Sequence, residues 1–374
     1  MKYYIIAGEA SGDLHASNLI REIKLIDKEA GFRCWGGDLM EKEGVELVKH
    51  YRDLAFMGFV EVIANLTTIF RNIKFCKEDV SEYKPDALIL IDYPGFNLRI
   101  AEWAHKNGIK VFYYISPQVW AWNQSRVKKM KKVIDRLFVI LPFEKDFFKT
   151  HAMEVDFVGH PLLDEIENHK DSGFSEYNVF EKDLIPSKPV IALLPGSRKQ
   201  EIKTMLPLMI ELSKDYPQFK FIIAGVSTLQ GEFYQNIIKD YPISIVFEQT
   251  YNLLKISYAA LVTSGTATLE TALFNVPQVV CYKGNPISYH IARKIIKIKY
   301  ISLVNLIMDK LVIKELIQKE FNISLLKHEF EKITTNENYR KMLTDEYNQL
   351  KIKLGGKGAS AKTASLIFKH LNNH

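Results

Sequence analysis

The sequence predicts an α/β protein made of two similar halves, each around its own parallel sheet, and three observations predict it. Short apolar, β-rich runs alternate with longer helical patterns, the rhythm of strand–helix–strand units. Those runs are continuously apolar instead of alternating, so the strands are covered on both faces. The rhythm breaks near the middle and restarts, and 374 residues exceed what one core usually encloses.

In the first half, strands are expected over 3–7, 87–91, 110–115 and 136–141, with helices from about Asp13, over 97–107 and from Phe143. From 167 to 189 the chain turns polar and irregular, with His169-Lys170-Asp171-Ser172-Gly173 and Pro186-Ser187-Lys188-Pro189, the composition of a linker. Beyond it, strands are expected over 190–194, 220–224, 243–247, 259–262 and 278–282, with helices from about Lys199 and Thr266. Two such halves joined by a linker imply a cleft between them. The tail from Phe330 is helical and charged, is broken at Gly355-Gly356-Lys357-Gly358, and ends in a helix over 360–371. Periodicity does not say which half holds that last helix.

Hydrophobic residues make up 47% and charged residues 25%, which excludes a disordered, collagenous or coiled-coil chain. Cys34, Cys76 and Cys281 form no CxxC, so neither a zinc ribbon nor a disulfide framework is indicated, and a reducing cytoplasm is expected. The apolar start is cut short at Gly8-Glu9, and no later run approaches the ~18 apolar residues of a spanning helix. A formal charge of +6 suits anionic partners without choosing among them.

Three turns follow predicted strands. In Leu194-Pro195-Gly196-Ser197-Arg198, free amides at a helix start, a glycine and a cationic fork are what a phosphate oxyanion needs; an ordinary strand-to-helix turn with a surface arginine has the same composition. In Ser264-Gly265-Thr266-Ala267-Thr268-Leu269-Glu270, small residues and hydroxyls crowd a helix N-terminus suited to a pyrophosphate, with Glu270 one turn on to accept ribose hydroxyls. Alone, it is equally a hydroxyl cap with a dipole partner. Both lie at carboxyl ends of predicted parallel strands, where α/β sheets bind ligands. The third, Gly8-Glu9-Ala10-Ser11-Gly12-Asp13, is spaced GxxxG and not GxGxxG, so it supports dinucleotide binding poorly; it can admit a substrate, or Asp13 can merely cap the helix. There is no GxxxxGK[ST], no second zincin histidine near His328, and no aspartate pair at i, i+2, so neither a metal nor a cofactor is expected.

Gly8–Asp13, Asp92-Tyr93-Pro94-Gly95-Phe96-Asn97, Ser116-Pro117-Gln118-Val119-Trp120-Ala121-Trp122, Leu141-Pro142-Phe143-Glu144, Gly159-His160-Pro161, Leu194–Arg198, Ser264–Glu270 and Ser302-Leu303-Val304-Asn305-Leu306 follow one another as in the lipid-A-disaccharide synthase family, which the chain resembles over nearly its whole length. The resemblance implies a GT-B glycosyltransferase with two Rossmann-like domains. Residues 1–170 would bind the acceptor, 171–344 the UDP-sugar, and 345–374 would cross back to the first domain. It implies transfer from UDP-2,3-diacylglucosamine to 2,3-diacylglucosamine 1-phosphate, giving a β-1,6 disaccharide 1-phosphate and UDP at the inner-membrane surface, by a cytoplasmic, peripherally attached enzyme.

In that frame Asp92, at the end of an apolar strand, is the expected base for the acceptor 6-hydroxyl; ordering the turn before Pro94 is its plainer role. Glu9 and His15 are weaker candidates. Glu9, Ser11 and Asn305 are expected near the substrates, although Asn305 equally orders its own loop. Gly196, Ser197, Arg198, Ser264, Gly265, Thr266 and Glu270 are expected to hold UDP. Two positions depart from the family: Gly95 stands where many members carry a second acid, leaving Asp92 without a carboxylate neighbour, and Val304 replaces a common proline.

Phe59, Ile63, Leu66, Phe70 and Ile73 share one helical face, widened by Val60, Val62 and Ile69. This is either a helix packed on its own sheet or, as the resemblance implies, an acyl-chain and membrane patch. Basic runs at Arg126–Arg136 and Arg293–Lys299 suit anionic headgroups as well as solvated helix faces. Two other functions compete. A GT-B N-acetylglucosaminyltransferase acting on a lipid-linked peptidoglycan precursor shares the architecture, but its glycine-rich signatures are missing. Nucleic-acid binding is not expected, because the basic runs form no recognisable reading module. The oligomeric state cannot be read from the sequence.

Overall fold

The computed structural model describes residues 1–53, 66–171, 188–229, 231–239, 241–285, 289 and 298–372. They form two compact units, Met1–Pro161 with Leu354–His374, and Leu162–Lys353.

The first unit holds a parallel sheet of β1 (Lys2–Ala7), β2 (Gly31–Gly36), β3 (Glu46–His50), β4 (Ala87–Ile91), β5 (Lys110–Tyr114), β6 (Arg136–Val139) and β7 (Asp156–Phe157), in the order β3-β2-β1-β4-β5-β6-β7. Along β1, Tyr4 and Ile6 join one apolar cluster while Tyr3, Ile5 and Ala7 join the other, so the strand is buried on both faces. The second unit holds β8 (Val190–Leu194), β9 (Lys220–Gly225), β10 (Ser244–Phe247), β11 (Ser257–Thr263), β12 (Gln278–Tyr282) and β13 (Glu315–Ile317), all parallel, in the order β10-β9-β8-β11-β12-β13. Counted within its own unit, each sheet runs third, second, first, fourth, fifth, sixth, and the first sheet adds a seventh. In such a doubly wound sheet the order reverses between the first and fourth strands, and the neighbouring carboxyl ends splay apart to leave a crevice. The two reversals are β1/β4, where Ala7 pairs with Ile91, and β8/β11, where Leu194 pairs with Val262.

The unit boundaries lie away from 170 and 345. The helix Leu162–Asp171 packs against the helix Thr266–Leu273 of the second unit. The helix Glu337–Lys353 buries Leu343, Tyr347 and Leu350 and stays with that unit too. Most of the expected linker, 172–187, lies outside the described residues.

The chain re-enters the first unit at Leu354. The Leu354 carbonyl accepts the His160 amide at 3.1 Å, and Gly355 passes so close to Phe157 and Gly159 that a Cβ would meet them at 3.1–3.3 Å. Gly355, Gly356 and Gly358 all have φ between 75° and 92°, which side chains other than glycine's resist. The helix Ala359–Asn372 then lays Ala364 and Ile367 onto the face of the first sheet that carries Tyr3 and Ile5.

Candidate active site

At the second reversal, the turns after β8 and β11 line one cavity of about 410 Å³. Gly196, Ser197, Arg198, Ser264, Gly265, Thr266 and Glu270 all border it. Gly196 has φ 108°, and a Cβ there would stand 2.7 Å from Glu201 Oε2. The Ser197 and Arg198 amides both donate to that Glu201 carboxylate at 3.3 Å, the arrangement by which a turn of this kind holds an oxyanion. Arg198, its side chain 71% exposed, makes only a loose 3.6 Å pair with Glu201.

Ser264 differs from its neighbours. Its hydroxyl donates to the Ile301 carbonyl at 2.9 Å and its amide to the Cys281 carbonyl at 3.3 Å, so both of its donors are committed. Exposed Gly265 and Thr266 begin the next helix, and a Cβ at Gly265 would meet open space. Burial, reinforced by the nearby charge of Glu165, pushes the Glu270 carboxyl up to about 7. The cavity is also bordered by Gly225, at the end of β9, and Thr250, at a helix start, neither of which the sequence singled out. The signal was there for Gly225, a small residue closing an apolar strand.

At the first reversal, β1 runs into Gly8-Glu9 and β4 into Asp92. Asp92 and Tyr93 are consecutive non-glycine residues with φ 41° and 47°, a left-handed pair that costs about 1–3 kcal/mol per residue and persists only where surroundings enforce it. Two buried side chains enforce it here. Asn97 Nδ2 donates to the Asp92 carbonyl at 2.8 Å and to the Ile91 carbonyl at 3.2 Å, and the Tyr113 hydroxyl donates to the Asp92 carbonyl as well. Burial first, and the charge of Glu9 second, raise the Asp92 carboxyl to about 6 while the Tyr93 amide pulls it back. Asp92 therefore has a carboxylate neighbour after all, supplied by Glu9 and not by position 95, where a side chain would meet open space. Glu144, in the Leu-Pro-Phe-Glu turn, is a further buried acid; burial lifts it to about 8, and its Oε2 accepts the Leu141 amide at 2.9 Å.

Other expected residues fall elsewhere. Asp13 caps a different helix from the one it sits on, its carboxylate accepting the Gly37, Leu39 and Met40 amides at 2.8–3.1 Å. Ser11 is exposed on the first turn of the helix Ala10–Ile26. Burial drops His15 to about 4, which makes it a poor proton acceptor. Asn305 is fully buried and does not border this cavity, and every hydrogen-bonding position of its side chain is filled by protein. Among the described residues, no group of three or more His, Cys, Asp or Glu side chains could hold a metal ion.

Phe59, Val60, Val62 and Ile63 lie outside the described residues, as do Arg293, Lys294 and Lys297. Leu66 opens the helix Leu66–Tyr83. The rest of the expected stripe divides: Ile69 and Ile73 pack on the core of the first unit, whereas Phe70 is 58% exposed under the Arg99 guanidinium. Of the expected stripe, the described side chains thus include two that pack inward and one that faces out. The helix Arg126–Val133 buries Val127, Met130 and Val133 and exposes Lys128, Lys131 and Lys132, beside a Trp122 that is 52% exposed and stacked on Arg126 at 5.0 Å. No described helix is long and apolar enough to cross a membrane.

Two Rossmann-like units, each with its polar constellation at a strand-order reversal, make up the GT-B fold. The fold is shared with UDP-GlcNAc 2-epimerase from Neisseria meningitidis, solved bound to UDP-GlcNAc, at a TM-score of 0.67 and 13% identity, with all of both chains covered. A family model described as lipid-A-disaccharide synthetase matches residues 3–370. The lipid-A-disaccharide synthase of Trichlorobacter lovleyi is 35% identical over 372 residues, covering 97% of this chain and 96% of its own. That of Syntrophus aciditrophicus is 38% identical over 375 residues, covering 97% and 96%. The chain belongs to the lipid-A-disaccharide synthase family and is a hexosyltransferase of lipid A biosynthesis. The peptidoglycan-precursor alternative is not favoured.

Proposed function

We propose that this chain transfers the sugar of UDP-2,3-diacylglucosamine to the 6-hydroxyl of 2,3-diacylglucosamine 1-phosphate, with UDP leaving from the cavity of the second unit and Asp92 of the first unit serving as base. The observation that carries this reading is the convergence of two separate turns, with Arg198 and Glu270, on one cavity at the β8/β11 reversal. The free amides at Gly265 and Thr266 and the exposed Arg198 fork would meet the charge growing on the diphosphate, and Glu270 would accept ribose hydroxyls. Asp92, ionised above about pH 6, takes the proton as the acceptor oxygen attacks the anomeric carbon opposite the leaving group, which inverts that centre. Ser264 shapes the turn without donating to the phosphates.

Incubation with both acylated sugars and mass-spectrometric detection of the disaccharide 1-phosphate tests the reaction; product absent with both substrates present would refute it. Arg198→Ala should weaken UDP binding by about ten- to a hundredfold, the worth of a charge-assisted contact, when titrated calorimetrically. An unchanged Kd would remove Arg198 from the diphosphate site.

For the membrane, the support is the outward Lys128, Lys131 and Lys132 beside Trp122, together with substrates whose acyl chains lie in a bilayer. Binding to liposomes should rise with anionic lipid and fall with salt. Indifference to both would leave this face as an ordinary solvated helix.

A further inference from the structure

Glu315, on β13, is 7% exposed and lies away from the two turns, yet it is tied to one of them. Its carboxylate collects three donors: the Ser302 amide at 2.9 Å, the Asn305 Nδ2 at 2.9 Å, and the Ile301 amide at 3.0 Å to Oε2. Among the described residues, no basic side chain forms an ion pair with it. A group that only accepts is therefore required, because each approaching atom carries a proton.

Asn305 is the other half of this arrangement. Beyond its bond to Glu315, its Nδ2 donates to the Ile313 carbonyl at 2.8 Å, and its Oδ1 accepts the Val312 and Ile313 amides at 2.8 and 3.0 Å. The pair thus staples the segment 301–302 to the segment 312–315, with Ser302 capping the helix Leu303–Met308. The Ile301 carbonyl, on the backbone so held, receives the Ser264 hydroxyl at 2.9 Å. Ser264 begins the turn whose next residues, Gly265 and Thr266, line the cavity at a helix start.

We infer that Glu315 is a positioning residue for the donor site: with Asn305 it fixes the Ile301 carbonyl, which fixes Ser264 and so sets where the amides at Gly265 and Thr266 point. This rests on the reading that the cavity holds UDP. It also accounts for an Asn305 that is buried and fully bonded to protein yet sits in a motif shared with the family. Because amide direction decides how well a diphosphate is held, loss of the anchor falls on the donor side of the reaction.

The test uses the full chain, UDP titration and steady-state kinetics with each substrate varied in turn. Glu315→Gln is close in shape but sets an NH₂ against one of the three donors. It should raise the UDP Kd and the donor KM about three- to tenfold, with the acceptor KM held within about twofold. Ser264→Ala should raise the UDP Kd similarly, and the double variant should bind UDP no more weakly than the worse single one, since both changes break the same chain of contacts. A merely structural Glu315 would lower the melting temperature and leave the UDP Kd unchanged, or its effect would add to that of Ser264→Ala; either result overturns the inference. Should Glu315→Gln fail to fold, Ser264→Ala carries the test alone, and an unchanged UDP Kd there overturns it equally. Failure of the unaltered protein to bind UDP would instead sink the reading of the cavity itself.

Discussion

Asp92→Asn should reduce kcat by about 10²–10⁴-fold, the usual contribution of a positioned general base, with UDP affinity and melting temperature close to those of the unaltered protein. The separation is expected because the bonds from Asn97 and Tyr113 that hold this turn go to the Asp92 backbone carbonyl, while the carboxylate takes the neighbouring Tyr93 amide, which an asparagine Oδ1 can also accept. The same carboxyl sets an acid limb. Raised to about 6 by burial and by Glu9, it is protonated and inactive below that point, so kcat/KM should fall about tenfold per pH unit below ~6 and level off above. Glu9→Gln removes the second cause and leaves the first, so the limb should move down toward the ordinary carboxylate range without reaching it. Near-normal turnover of Asp92→Asn would take the residue out of the mechanism, and an acid limb unmoved by Glu9→Gln would show that the two acids do not communicate.

The second large effect is expected one helical turn further on. Asn97 is fully buried, and its amide nitrogen serves the Asp92 and Ile91 carbonyls together. Asn97→Ala strands one of those carbonyls and frees the left-handed Asp92–Tyr93 pair to relax. The first loss is about 1–3 kcal/mol, which in a unit of this size lowers the melting temperature by roughly 2–10 °C. The second moves the base, and a displacement of about 1 Å costs on the order of 10²-fold in kcat. Tyr113→Phe removes the other donor to the same carbonyl and should show a milder version of both effects. A variant that melts earlier but turns over normally would mean that Asn97 supports the sheet without aiming Asp92.

How much of this was legible beforehand differs from element to element. The turns after β1, β4, β8 and β11 stood out because each follows a four- or five-residue apolar run at its carboxyl end with small or charged residues, and a parallel sheet puts those ends on one edge. Strand β2 did not stand out. Arg33 interrupts it, and only the fold reveals that the guanidinium is neutralised by Asp79 and Glu46, far away in sequence. Edge strand β3 is half polar, and β13 is only three residues long. The joint at Pro161–Leu162 was invisible because an amphipathic helix shows which of its faces is apolar, not which unit that face will meet. Asn305 illustrates the same limit at a single side chain. Its partners at Val312, Ile313 and Glu315 form no short-range pattern, so a loop-ordering residue and a substrate contact look alike until coordinates separate them.

The glycine-rich re-entry at Gly355–Gly358 also dictates an order of events during synthesis. The second unit is one uninterrupted stretch and can finish folding while translation continues. The amino-terminal sheet cannot, since Ala364 and Ile367, which help complete one of its apolar layers, are made only after the whole of the second unit. While the second unit is being made, that layer is covered only in part, by residues such as Leu19 and Ile20 of the helix Ala10–Ile26, so its bare remainder is open to other chains, and removing the helix Ala359–Asn372 should send the product into aggregates well before it harms the sugar-transfer chemistry.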